Sequence, residues 1–348
     1  YEDQTGLGSG LSLNQGDRSS AFVAGFDSSY REGSQVYSEY RLRDSTSVQQ
    51  LRVQDMQLAS GVRRSWQAGE GLQLSSNVEY LKVFSGGSRD ALGFGAGADF
   101  TGHRDWKGSV RGEFRRIFDD PTAFGDQTQD QYLFSTSVAH KLSDSWTLLM
   151  RNYLLLNTYH DDASGKPTGD IMQDRMQIGA AFRPVGDDRI IGLVRYDLKV
   201  YRDQSTADGT NYRAHLASIN LNWHPTRRFW LDTRLAGELR TDILPNSLTG
   251  GTQKSAFNAG LISGRAIYDV TDHIDLSVMA AVTHANQSDV TQYAEGLEAG
   301  YLAAKNVWIS AGYNWTGFDN ADLSGTEYHN RGAYLRLRIK FNEMLSGF

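Results

Sequence analysis

YLRLRIKF, residues 334–341, decides how the rest of the chain is read. Tyr334, Arg336, Arg338 and Lys340 take one set of alternate positions, and Leu335, Leu337, Ile339 and Phe341 take the other. Successive side chains of an extended strand point to opposite faces, so this segment carries cations on one side and large apolar groups on the other. One face calls for water and the other for a medium that is not water.

The pattern recurs. In IIGLVRYDLKVY (190–201), Ile190, Val194, Tyr196, Leu198 and Val200 oppose Arg195, Asp197 and Lys199. In WKGSVRGEFRRIF (106–118), Trp106, Val110, Phe114 and Phe118 oppose Lys107, Arg111, Glu113 and Arg115. In FWLDTRLAGELR (229–240), Phe229, Leu231, Leu235 and Leu239 oppose Asp232, Arg234, Glu238 and Arg240. A soluble β-sandwich would bury such an apolar face in a dry core. Tryptophan placement argues otherwise: Trp66, Trp106, Trp146, Trp223, Trp230 and Trp308 all fall within a few residues of short connections, while Trp315 lies near the opposite strand end. Aromatic rings at one depth form the girdle of a membrane interface.

The apolar face is therefore expected to meet lipid and the charged face a wet lumen, because Arg or Lys facing lipid at the midplane costs about 2–4 kcal/mol. Backbone groups unpaired in hydrocarbon cost several kcal/mol each, so a spanning sheet must close. The candidate lumen-lining residues are Arg111, Glu113, Arg115, Arg195, Asp197, Lys199, Asp232, Arg234, Glu238, Arg336, Arg338 and Lys340.

Two kinds of connection alternate. REGS at 31, QAGEG at 67, TGHRD at 101, LSDS at 142, PVGDD at 184, HPTRR at 224, VTDH at 270 and LAAKN at 302 are short. DDPTAFGDQTQD from 119, DDASGKPTGD from 161, DQSTADGTN from 203, TDILPNSLTGGTQK from 241 and DNADLSGTEYHN from 319 are mostly longer and more polar. That alternation fits an up-and-down barrel with short periplasmic turns and longer surface loops. All five prolines fall within these expected connections. The expectation is one transmembrane antiparallel barrel over residues 1–348, with about 18 strands, or about 16 if residues 1–19 are a linker from an upstream region. An even count places both ends on the short-turn side.

Bulk composition agrees. The chain of 348 residues is 39% hydrophobic and 22% charged, and it has no apolar run long enough for a spanning helix. It has no cysteine, which removes disulfides and thiolate metal sites. A net charge of −6 argues against nucleic acid as a partner. Tyr1 opens the chain with no charged start and no apolar signal core, so the sequence reads as a mature or excised piece.

NVWISAGYNWTGFDNADLSGTEYHNRGAYLRLRIKF (306–341) resembles the C-terminal outer-membrane barrel module of large Gram-negative surface proteins, often preceded by tandem immunoglobulin-like repeats. GEGLQLSSNVEYL (69–81), DSWTLLMRNYLLL (144–156) and YAEGLEAGYLAAKNVW (293–308) are similar to the same module, which extends the resemblance from about residue 53 onward. It implies a membrane anchor or translocation conduit, with an upstream passenger or periplasmic domain as partner and no catalytic residues. Gly332, Leu335, Leu337, Ile339 and Phe341 also resemble the terminal-strand signal read by the barrel-assembly machinery, although NEMLSGF continues to Phe348.

Chemistry is sparse. GFGAGADF at 93 sits within an expected strand with no helix after it, so its glycines relieve crowding and do not cradle phosphate. TYHDD places His160 beside Asp161 and Asp162 in an expected outer loop, with no second cluster at metal-ligand spacing; solvation explains it, and no metal or cofactor is expected. The acidic outer connections either stay soluble by charge or meet lipopolysaccharide phosphates through divalent ions. Three functions follow: an anchor or conduit for a larger surface protein, a porin-like channel for small hydrophilic solutes, or an outer-membrane hydrolase resting on His160 alone.

Overall fold

The computed structural model describes residues 2–7, 15–31, 33–46, 52–84, 89–122, 125–161, 164–187, 189–205, 209–246, 251–304, 307–318, 323 and 331–339. They form one antiparallel sheet of 18 strands. The first nine are β1 (Glu2–Leu7), β2 (Gln15–Arg31), β3 (Ser34–Thr46), β4 (Arg52–Gly69), β5 (Leu72–Val83), β6 (Arg89–Phe100), β7 (Trp106–Thr122), β8 (Gly125–Lys141) and β9 (Trp146–Asp161). Then follow β10 (Pro167–Phe182), β11 (Ile190–Asp203), β12 (Asn211–Thr226), β13 (Phe229–Asn246), β14 (Gly251–Asp269), β15 (Ile274–Ala285), β16 (Val290–Ala304), β17 (Val307–Thr316) and β18 (Gly332–Ile339). Each strand pairs with the next in sequence, an up-and-down meander with no crossover among the described residues. Among the described residues no register joins β18 back to β1. Both β1 and β18 have their outer ends on the short-connection side, as an even count requires.

Burial is inverted relative to a soluble protein. Along β15, Ile274, Leu276 and Val278 are 43%, 50% and 51% exposed, whereas Asp275, Ser277 and Thr283 between and beyond them are each 6% exposed. Alternation alone sorts them, since each step along a strand changes face. The outward run Ile274, Leu276, Val278, Ala280, Val282 ends at His284, whose Nδ1 lies 2.8 Å from the Thr291 hydroxyl. Ten residues at about 3.3 Å rise and about 40° tilt give a height of about 25 Å, the apolar band of an outer-membrane barrel. Trp66, Trp106, Trp146 and Trp223 stand outward at the short-connection ends, 41–43% exposed, and Trp315 stands outward near the other rim.

The long-connection side differs from the sequence reading. DDPTAFGDQTQD is almost wholly strand, because β7 runs to Thr122 and β8 starts at Gly125. Pro121, Pro167, Pro225 and Pro245 lie in terminal stretches of β7, β10, β12 and β13, and Pro184 alone stays in a connection. Three of the four adjoin register shifts, at Ile117/Asp120, Pro167/Gly169 and Trp223/Thr226, where the ladder already lacks a bond that proline could not donate. Polar composition marked these stretches as loops, yet ladder pairing needs no apolar face, so the hairpins continue past the apolar band. At the short end, Gly33 has a φ of 69° and sits so close to the Ser65 carbonyl that a Cβ would not fit.

Val278 projects outward near mid-band, so Val278→Arg should lower the unfolding free energy in vesicles by about 2–4 kcal/mol. Arg at Gln173, on the inward face, should change it by less than about 1 kcal/mol. Equal costs at the two positions would contradict the assigned faces.

Candidate functional site

The inward face is a polar wall in which charges are tied together. Along one row of paired residues, Tyr37, Gly61, Glu79, Gly93 and Arg115 face one another across β3 to β7. The Tyr37 hydroxyl donates to Glu79 Oε2 at 2.7 Å, and Arg115 Nη2 reaches Glu79 at 3.1 Å and Glu113 at 3.0 Å. Gly61 lets the Tyr37 ring lie across its strand, because a Cβ there would meet the ring. The same device recurs on the other flank of the meander. Tyr334, Gly312 and Glu298 share a row on β18, β17 and β16, the Tyr334 ring covers Gly312, and the Tyr334 hydroxyl hydrogen-bonds Glu298. Arg265 of β14 forms an ion pair with Glu298, which is 6% exposed, and Arg336 stands 3.8 Å away.

A third cluster lies on β9 to β11. Asp197, 1% exposed, accepts from Arg175 Nη2 at 2.8 Å and from Gln177 Nε2 at 3.1 Å, and Arg195 Nε stands 3.2 Å from it. Arg151, Tyr153, Gln173 and Lys199 surround the same depression, a cavity of about 400 Å³.

The lumen is not uniformly polar. Between β17 and β18 in sequence, Phe318 and Leu323 are 4% and 0% exposed. They pack with Ala259 and Leu261 of β14, Ala281 of β15 and Ala294 of β16, all on the inward face. Arg234 of β13 donates from Nε to the Leu323 carbonyl at 2.6 Å and from Nη1 to Asn220 Oδ1 at 2.8 Å. Burying two large apolar side chains stabilises this seat by about 1.5–3 kcal/mol each.

Of the charged residues expected in the lumen, Arg111, Glu113, Arg115, Arg195, Asp197, Lys199, Asp232, Arg234, Glu238 and Arg336 lie on the inward face. Arg338 pairs with Trp308 in the ladder, but its side chain, like that of Ile339, and the whole of Lys340 and Phe341 lie outside the described residues. Gly332 opens β18, and Leu335 and Leu337 project outward at 81% and 62% exposure. Two tryptophans depart from the girdle. Trp230 shares its face with Asp232 and Arg234 and stacks on His224 at 4.5 Å, and Trp308 shares its face with buried Ser310 and Asn314. Depth along the strand places them correctly; parity turns them inward.

His160 also moves. It lies in β9, 3.5 Å from Asp130, whose two oxygens already take Arg116 Nε and Nη2 at 2.7 Å; Asp162 lies outside the described residues. Among the described residues no group of three His, Cys, Asp or Glu could hold a metal. The residues missed in the sequence, Tyr37, Glu79, Arg151, Arg175, Arg265 and Glu298, carry the inward parity of their strands, and parity was the signal that could have found them.

No protein-family model matches the sequence, and no curated protein matches it. Solved structures with similar strand arrangements include the outer-membrane transporter YddB from Escherichia coli, with TM-score 0.45, 8% identity, and coverage of 92% of this chain and 68% of that one. The copper transporter OprC gives TM-score 0.44 and 10% identity over 86% of this chain and 64% of that one. A mutant Rh. blastica porin gives TM-score 0.33 and 12% identity over 93% of this chain and 98% of that one. At these values the likenesses decide nothing about solute or family, and the fold rests on the strand pairing itself.

Arg265→Ala leaves Glu298 buried without its main partner and should destabilise the protein by about 3–5 kcal/mol. Denaturant titration in micelles checks this; a cost below about 1 kcal/mol would mean that the pair is solvated and the wall open at that point.

Proposed function

We propose that the chain is a Gram-negative outer-membrane β-barrel whose water-filled lumen passes small hydrophilic solutes. The observation that supports this most directly is the inverted burial: exposed aliphatic residues form a band about 25 Å tall, and ion-paired residues line the other face. Barrels of 16–18 strands leave room for an aqueous path when nothing fills them. Outward, the partners are acyl chains and, at the rim, lipopolysaccharide. The barrel-assembly machinery would read the β18 pattern from Gly332 through Leu335 and Leu337. A spanning wall also requires β18 and β1 to be joined, since an open edge would leave backbone groups unpaired in hydrocarbon.

A second reading is favoured by the resemblance over residues 306–341, in which the barrel anchors or conducts a larger surface protein. In that case a polypeptide attached before β1 would enter from the short-connection side and share the lumen with the seat of Leu323.

In planar bilayers the purified barrel should give discrete ohmic steps, and Arg234→Ala, which frees the Leu323 carbonyl, should enlarge them. A barrel that folds yet carries no current in either form would contradict solute passage and leave the anchor reading.

A further inference from the structure

The inward surface of β9 to β11 gathers four cations around one carboxylate. Arg151, Arg175, Arg195 and Lys199 share one patch with a single inward acid, Asp197. Paired rows place them together: Arg151 faces Gln177, which faces Asp197, and Tyr153 faces Arg175, which faces Lys199. Asp197 is saturated by Arg175, Gln177 and Arg195 and is buried beneath them. It therefore acts as a brace that fixes the guanidinium groups without cancelling them.

Arg151 has no ion-pair or hydrogen-bond partner among the described residues, and the Arg175 side chain keeps 44% of its surface open despite its bond to Asp197. Both border the cavity of about 400 Å³, whose lining also takes in Tyr153, Gln173, Gln177, Lys199 and Tyr212, together with Asp174, which by parity belongs to the opposite face, where its carboxylate accepts from Asn152 Nδ2 at 2.8 Å. That volume suits a small molecule. Guanidinium forks match the paired oxygens of phosphate and carboxylate, and bonds between charged partners are the stronger ones. The amides of Gln173 and Gln177 and the Tyr153 hydroxyl add neutral donors and acceptors suited to hydroxyl groups. The neighbouring inward face of β12 contributes Tyr212, Ala214, Leu216 and Ser218, and none of these is acidic.

We infer that the β9–β11 wall is a binding site for small oxyanions, a phosphate or carboxylate group on a hydrophilic solute. The inference rests on reading the inward face as a water-filled lumen, and it names the class of solute that this lumen holds. The site also biases passage: cations fixed on a low-dielectric wall concentrate anions near it and raise their entry rate.

Isothermal titration of inorganic phosphate into the full chain in lipopolysaccharide-free micelles, at low ionic strength, tests this. Saturable binding is expected, weakened at least tenfold by the double variant Arg151→Gln, Lys199→Gln, which leaves the three contacts to Asp197 in place. Arg63→Gln, a lumenal cation on β4 outside the patch, should change it by less than twofold. Absence of saturable binding, or equal weakening by Arg63→Gln, would overturn the inference. Binding is read without passage, so a barrel that takes phosphate but conducts nothing overturns only the channel reading. Where it conducts, the chloride-to-potassium permeability ratio should exceed one and fall toward one in the double variant; an unchanged ratio would overturn the site's bearing on passage.

Discussion

Hydrocarbon offers a peptide group nothing to bond with, and that constraint organises this chain. Every N–H and C=O within the band must find its partner on a neighbouring strand, so the sheet has to be continuous. The registers from β1 to β18 meet that demand strand by strand, with shifts placed near strand ends. Prolines tolerated at strand ends and in connections and excluded from mid-strand positions follow from the same accounting.

Once the backbone is satisfied sideways, each side chain has only two choices of surroundings, and parity makes the choice. Aliphatic groups go out, where exposure to lipid costs nothing. Most charges go in, with outward pairs such as Lys82–Asp90 and Arg116–Asp130 near the long-connection ends, and an inward carboxylate partly walled off from water still needs a counter-charge, which explains why Glu79, Asp197 and Glu298 each hold an arginine. The two tyrosine-over-glycine rows extend that logic. A ring laid across Gly61 or Gly312 carries a hydroxyl to the acid one strand further on, so a single residue braces three strands. The inward patch of β14 to β16 is apolar, and its occupant is the chain's own Phe318 and Leu323.

Much of this was legible in the sequence because period two is a local property. YLRLRIKF, IIGLVRYDLKVY and WKGSVRGEFRRIF each declared two faces, and the described charged residues share the face that alternation gave them. Strand length was less legible: polarity marked residues 119–130 as a loop, whereas pairing beyond the membrane needs no apolar face. Trp230 and Trp308 show the limit of reading depth without parity. The seat of Leu323 was out of reach, since it depends on residues far apart in sequence. A trace existed in FNAGLISGRAIYD, where Ala259 and Leu261 make the inward face apolar beside outward Ile262, a break in the rule that marks an internal contact.

The proposed function follows from the same division of surroundings, in which lipid outside would make the chain a membrane component and fixed charge inside would make the enclosed space selective. The most direct test is depth-resolved quenching of tryptophan fluorescence by nitroxide-labelled lipids, using variants that retain one tryptophan each. Trp66, Trp106, Trp146 and Trp223 should be quenched most by labels near the headgroups on one side, while Trp230 should escape lipid labels and respond to aqueous iodide. Quenching of Trp230 by lipid as strong as that of Trp223, or protection of all four outward rings, would contradict the assignment of faces on which the account stands.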